Sequence, residues 1–279
     1  MKRMTSHVGT ALLVCTILLL WGGVAGAVIH GVNGPTFNLE TKTDYIVTSD
    51  GDSFLMWGYT VQGNRMQYPG PTLIVNEGDM VTVNLTNNLA VPTSMVFPGQ
   101  NVTAVGGSLG VLTKEAVAGG GTVTYTFTAD QPGTYLYRSG TRPDLQVEMG
   151  LVGALIVRPA GYDPNTNKIA YNHADSTYDR ELLLLITEMD PVIHRMVEAG
   201  QYNQVDMTQY FATNWFINGR NFPDLMSESF VPWLPTQPYN FQPRMHPGEK
   251  VLVRAIGGGL DTHPFHYHGN DIEEIAEDG

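Results

Sequence analysis

Three of the eight histidines in this 279-residue chain fall within six residues, His263-Pro264-Phe265-His266-Tyr267-His268-Gly269. Imidazole is a neutral nitrogen donor that suits copper, zinc, iron and nickel, so the cluster points to a metal site without selecting the metal. Successive side chains of an extended strand face opposite ways. On that pattern His266 and His268 share one face, where they can chelate one metal or reach two neighbouring ones. Phe265 and Tyr267 take the other face and are expected in a core. His263, His266 and His268 are therefore the candidate metal ligands.

Other chemistries find less support. The formal net charge is -12 and the only basic pair outside scattered positions is Lys2-Arg3, which excludes nucleic acid as a partner because phosphate binding needs basic patches. No Ser-His-Asp arrangement and no phosphate-binding glycine loop is present. Cys15 is the only cysteine. It lies in a stretch that reads as a secretory signal: Lys2-Arg3, then an apolar run from Ala11 to Trp21, then Ala25-Gly26-Ala27 as the cleavage pattern. Residues 1–27 are thus expected to be removed, placing the mature chain outside the cytoplasm, secreted or periplasmic, with no membrane association after cleavage. It would then carry no disulfide and no thiolate ligand. His246, beside the Pro247-Gly248 turn, is expected at the surface, as are His173 and His194. Met95, Met149 and Met245 are expected in the core, and the acidic tail Asp271 to Asp278 in solvent.

The elements that position the histidines are strands. Gly and Pro make up 31 and 17 residues, and short alternating runs separated by Gly/Pro turns recur. Val81, Val83 and Leu85 alternate with Thr82, Asn84 and Thr86. Thr122 to Thr128 alternates in the same way. Asp44–Thr48, Phe54–Val61, Thr72–Val75, Thr134–Tyr137 and Gly153–Val157 are further strands, while the Gly-rich stretch from Ala104 to Gly121 reads as a loop. Asp190-Pro191 predicts a cap and first turn for a short helix ending near Gly200. The pattern predicts an all-β fold: a β-sandwich over 28–160, a polar linker over 161–179, and a second sandwich over 180–279 that carries the histidines.

The halves overlay at a constant offset of 170. Gly78-Asp79-Met80-Val81-Thr82-Val83 meets Gly248-Glu249-Lys250-Val251-Leu252-Val253, and further on Val96-Phe97-Pro98-Gly99 meets His266-Tyr267-His268-Gly269. The spacing predicts a tandem duplication. Only ten residues follow Gly269, which leaves no sequence for the closing strands of the second sandwich. Either the polypeptide continues or that half takes strands from elsewhere.

Three segments resemble the multicopper oxidases, laccase-like enzymes built from tandem cupredoxin domains of Greek-key topology. Tyr68-Pro69-Gly70-Pro71-Thr72-Leu73-Ile74-Val75-Asn76-Glu77-Gly78-Asp79 is similar to the first-domain entry. Pro132-Gly133-Thr134-Tyr135-Leu136-Tyr137 with Asp144 to Val157 is similar to the first-domain end. His263 to Gly269 is similar to the last-domain copper motif. The resemblance implies copper as cofactor, with His263 a blue-copper ligand and His266 and His268 serving a three-copper cluster. It also implies an oxidoreductase that couples oxidation of a small-molecule reductant to reduction of dioxygen.

The chain departs from that pattern in its first half. Where the family places His-x-His pairs, it has Val96-Phe97-Pro98 and Arg138-Ser139-Gly140, and the family's Cys-bearing motif is absent. Valine, proline and glycine offer no side-chain donor, and arginine stays cationic. Catalysis would need the remaining ligands from a missing C-terminal region, a partner domain or a second copy of the chain, so homo-oligomerisation belongs to the expectation. The other reading is a degenerate cupredoxin pair that holds copper, or serves as a structural module, without turnover.

Overall fold

The computed structural model describes residues 29–279. The signal stretch and Cys15 lie outside them. In chain order the strands are β1 (Val32–Asn33), β2 (Thr36–Val47), β3 (Ser53–Val61), β4 (Leu73–Asn76), β5 (Met80–Asn87), β6 (Thr103–Gly106), β7 (Ser108–Leu109), β8 (Lys114–Glu115), β9 (Gly121–Thr128) and β10 (Gly133–Arg138). After helix α1 (Pro143–Glu148) come β11 (Val152–Arg158) and β12 (Arg180–Met189). Helix α2 (Pro191–Glu198), β13 (Asn214–Ile217) and β14 (Val251–Gly257) complete the set. The all-β expectation holds.

Five strands form one sheet in the order β3-β2-β5-β9-β6, and four form a second, β1-β4-β11-β10. Alternation explains their packing. In β9, Val123, Tyr125 and Phe127 turn inward while the intervening threonines face out, and Val81, Val83 and Leu85 of β5 do the same. These residues meet Leu73 and Val75 of β4 and Leu155 and Val157 of β11 in one core. Each such side chain contributes roughly 1.5–3 kcal/mol when fully buried.

β11 is buried along its whole length because both of its faces are covered. Leu155 and Val157 enter the first core. Val152, Ala154 and Ile156 enter a second core with Leu183 and Leu185 of β12, Phe216 of β13 and Ile256 of β14. The four-stranded sheet is thus the middle layer, and a third sheet, β13-β12-β14, packs on its far face. That third sheet repeats part of the first: β3 pairs antiparallel and β5 parallel to β2, and β13 pairs antiparallel and β14 parallel to β12. At the offset of 170, β14 is the counterpart of β5. The side of β5 that β9 occupies has no strand beside β14 among the described residues.

A buried ion pair also joins the layers. Arg158, closing β11, bonds Glu181 of β12 through both terminal nitrogens at 2.6 and 2.5 Å, and Arg254 of β14 adds a third contact at 3.2 Å. Burial works against the Glu181 carboxylate, but Arg158 and Arg254 together hold its pKa below the ordinary range.

The helix expected after Asp190-Pro191 is α2, with the Asp190 side chain accepting from the Val192 N–H. The stretch 104–121 is a correction. It contains β6, β7 and β8, because β6 pairs with β9 from a distance that local composition does not report.

Candidate metal site

β14 delivers the chain to the histidines. The parallel ladder with β12 runs to Gly257 beside Ile186, and one more ladder bond follows, from the Gly258 N–H to the Ile186 carbonyl at 2.8 Å. There the backbone pairing ends and the Glu188 side chain takes over. Its fully buried carboxylate accepts from the N–H of Leu260, from the N–H of Asp261 at 2.7 Å, and from Nε2 of His263 at 2.9 Å. A Cβ on Gly259 would collide with that carboxylate, so a side chain there would displace it.

The next residues correct the expected strand. His263 to Gly269 is irregular, not β. Pro264 lacks an N–H, and among the described residues no neighbouring strand offers a ladder. Phe265 and Tyr267 do not enter a core. They remain 46 % and 37 % exposed and pack edge to face on each other, ring centroids 4.8 Å apart. The two imidazoles nevertheless end up side by side. The His266 and His268 rings lie 4.4 Å apart at 88°, both open to solvent. His263 does not join them, since its Nε2 is turned to Glu188. Among the described residues no three His, Cys, Asp or Glu side chains converge as a group able to hold a metal. The donors present are two adjacent imidazoles, a donor type that copper accepts, and they fall short of a complete multicopper ligand set. His246, His173 and the acidic tail are exposed as expected, and Met95 and Met149 are core; Met245 is a correction, since it lies in the irregular stretch before β14 and is half exposed.

The corresponding positions of the first half are also together. The Val96 N–H donates to the Arg138 carbonyl at 2.8 Å and the Arg138 N–H donates back to Val96 at 3.1 Å. A Cβ on Gly140 would press on the Val96 side chain. Around this bridge, Tyr59 Oη donates to the Ser94 carbonyl at 2.6 Å, and Oε1 of buried Gln146 accepts from Thr93 and Ser139 hydroxyls, each at 2.7 Å. The locus is satisfied by an amide and hydroxyls, with no imidazole, thiolate or carboxylate in those contacts.

A second buried group escaped the sequence. His194, expected in solvent, is fully buried at the contact between α2, β3 and α1. Its Nδ1 lies 2.6 Å from the Leu55 carbonyl. Its Nε2 lies 3.2 Å from the Glu148 carbonyl and 3.4 Å from the Glu148 carboxylate. Burial raises the Glu148 pKa even against the lowering effect of His194. Nearby, Tyr210 Oη is buried without a hydrogen-bond partner, and burial with the Glu148 and Glu188 charges pushes its pKa up. The signal for Glu188 was available: a lone acid inside the apolar run Leu182 to Met189. For His194 none was, since its partners are 46 and 139 residues away.

Residues 55–161, spanning the first sandwich from β3 to just beyond β11, match the family model described as multicopper oxidase. On that match the chain carries a multicopper oxidase domain. It is 36 % identical over 243 residues to a probable nitrite reductase-hydroxylamine oxidoreductase fusion protein of Kuenenia stuttgartiensis, a match covering 83 % of this chain and 24 % of the relative. It is 37 % identical over 126 residues to the iron transport multicopper oxidase FET3 of Saccharomyces cerevisiae, covering 44 % and 18 %. An L-ascorbate oxidase of Cucurbita pepo is 34 % identical over 131 residues, covering 46 % and 22 %. The chain spans a quarter or less of the length of these curated relatives. Among solved structures, the multicopper oxidase mgLAC shares the fold with a TM-score of 0.61 at 22 % identity, over 84 % of this chain and 64 % of that one. A copper nitrite reductase from Nitrosomonas europaea has a TM-score of 0.57 at 22 % identity, over 82 % and 68 %. The strands are therefore those of cupredoxin-type sandwiches, and copper is the metal of the family. No described helix is long and apolar enough to cross a membrane.

Proposed function

We propose that this chain is the copper-binding portion of a secreted oxidoreductase that couples oxidation of a small-molecule reductant to reduction of dioxygen, with 28–160 and 180–279 as its two cupredoxin units. The observation that carries the reading is the juxtaposition of His266 and His268, two solvent-open imidazoles with rings 4.4 Å apart, on the segment that follows β14. These two would hold one copper directly, and His263, which does not converge with them, would offer its free Nδ1 to a separate copper. Copper bound there would supply one-electron redox chemistry. The chain's own contribution is to present neutral imidazoles on a short, glycine-terminated segment anchored at Glu188. The remaining donors come from outside the described residues. The test is dioxygen uptake with a phenolic or ferrous reductant by the native secreted protein after copper loading. Stoichiometric copper with no dioxygen uptake would overturn the catalytic part.

A second reading has its own support. The Val96–Arg138 bridge closes the first-half locus with backbone bonds, and Val96, Pro98 and Gly140 supply no side-chain donor there. On that reading the chain holds copper, or serves as a structural module, without turnover. It predicts bound copper that neither cycles between oxidation states with reductant nor consumes dioxygen.

A further inference from the structure

We propose that Glu188 is the positioning residue of the His-rich segment: it fixes His263 as the Nε2–H tautomer and leaves Nδ1 as the only nitrogen that ring can give to a metal. The metal-directed half of this inference rests on the copper reading above; the clamp itself does not.

The place of Glu188 follows from the ladder. β12 and β14 run parallel, with Ile186 beside Gly257. Two residues on, Glu188 stands beside Gly259, beyond the last ladder bond. The loop Leu260 to His263 has no strand neighbour, and its first two N–H groups need acceptors. The Glu188 carboxylate supplies them, accepting from both Leu260 and Asp261. Its side chain is fully buried, so water does not replace these bonds. Gly259 leaves room for the arrangement, because any Cβ there would occupy the space of the carboxylate.

His263 is the third donor to the same group, with Nε2 2.9 Å from Glu188 Oε2. A carboxylate offers only lone pairs, so the ring nitrogen facing it carries the proton. In a neutral ring the lone pair is then on Nδ1, and no hydrogen bond engages Nδ1 among the described residues. A ligating histidine held in this way, one nitrogen on a carboxylate and the other free, has its tautomer and ring orientation set before the metal arrives. Among the described residues His266 and His268 touch each other edge to face and have no such carboxylate partner, so His263 is the preset member of the three.

The tests need no enzymatic turnover. In the metal-free protein, long-range proton–nitrogen NMR should report His263 as the Nε2–H tautomer, and Glu188→Gln should produce a mixture of tautomers. Amide exchange at Leu260 and Asp261 should rise at least tenfold in the same variant. Gly259→Ala, at an exposed loop position, should do the same by displacing the carboxylate, and guards against Glu188→Gln failing to fold. Copper(II) affinity should fall about 10–100-fold in Glu188→Gln, and the double variant with His263→Ala should lose no more than His263→Ala alone. His263 remaining wholly Nε2–H in both variants, unchanged exchange, or additive losses in the double variant would overturn the proposal. A wild-type protein that binds no copper but shows the tautomer and exchange changes sinks the copper reading and upholds the clamp.

Discussion

The two halves of the molecule start from one template and finish it differently. In the first half, β3-β2-β5 is extended by β9 and β6 and closed against the four-stranded sheet. In the second, β13-β12-β14 has three strands among the described residues. Donor chemistry runs the other way. The finished half carries Val96, Pro98, Arg138 and Gly140 where its family places histidines, and the unfinished half carries His263, His266 and His268. The contrast separates two demands. A sandwich is specified by alternation and burial, which Val123, Tyr125 and Phe127 satisfy without any ligand. A metal site needs donors held in place, and in the second half that depends on one side chain, Glu188, in place of a neighbouring strand.

The comparison can be tested at the joint between the halves, where the largest effect is expected. Glu181→Ala removes the only anion between Arg158 and Arg254 and leaves two guanidinium groups buried. It should cost about 3–5 kcal/mol, read by urea denaturation. Leu185→Ala in the second core should cost about 2–5 kcal/mol. If the second half depends on that core, the loss will appear first in β12 and β14 while β5 and β9 keep their exchange protection.

Opposite pH responses should follow from two of the buried carboxyl groups, Glu181 and Glu148. Glu181 is held below its ordinary pKa, so its contribution is present above that value and lost as pH falls. Glu148 is raised, so its contribution is present below the ordinary carboxyl value of 4.5 and lost as pH rises through its folded value. Each is limited to about 1.4 kcal/mol per pH unit. Glu148→Gln should flatten the fall in stability on the alkaline side of 4.5 and leave the acid limb intact, measured as urea midpoints across pH. The smallest effect concerns the open edge: amides of β14 that face away from β12 should exchange faster than their β5 counterparts, which β9 covers. Equal protection would mean that something occupies that edge.

Where sequence was legible, the physics was local. Alternation located β5 and β9, and an Asp-Pro cap located α2. The offset between Gly78 and Gly248 anticipated that β14 repeats β5. Where it was not, the determinants were distant or missing. β6 exists because β9 is beside it. The run from Phe265 to His268 has strand-like alternation, but alternation without a partner strand left it exposed and irregular. His194 looked like a solvent-facing helix residue until Leu55 and Glu148 closed around it. The three histidines were legible as donors; that His263 would turn away from the other two toward Glu188 was not.

The central claim is that copper binds the second half through His266 and His268 and leaves the first half empty. Copper(II) titration followed by electron paramagnetic resonance, on wild type and on His266→Ala with His268→Ala, tests it directly. The account predicts nitrogen hyperfine structure from imidazole in the wild type, and its loss together with the bound copper in the double variant while the fold is retained. Unchanged copper stoichiometry and an unchanged spectrum in the double variant would contradict it.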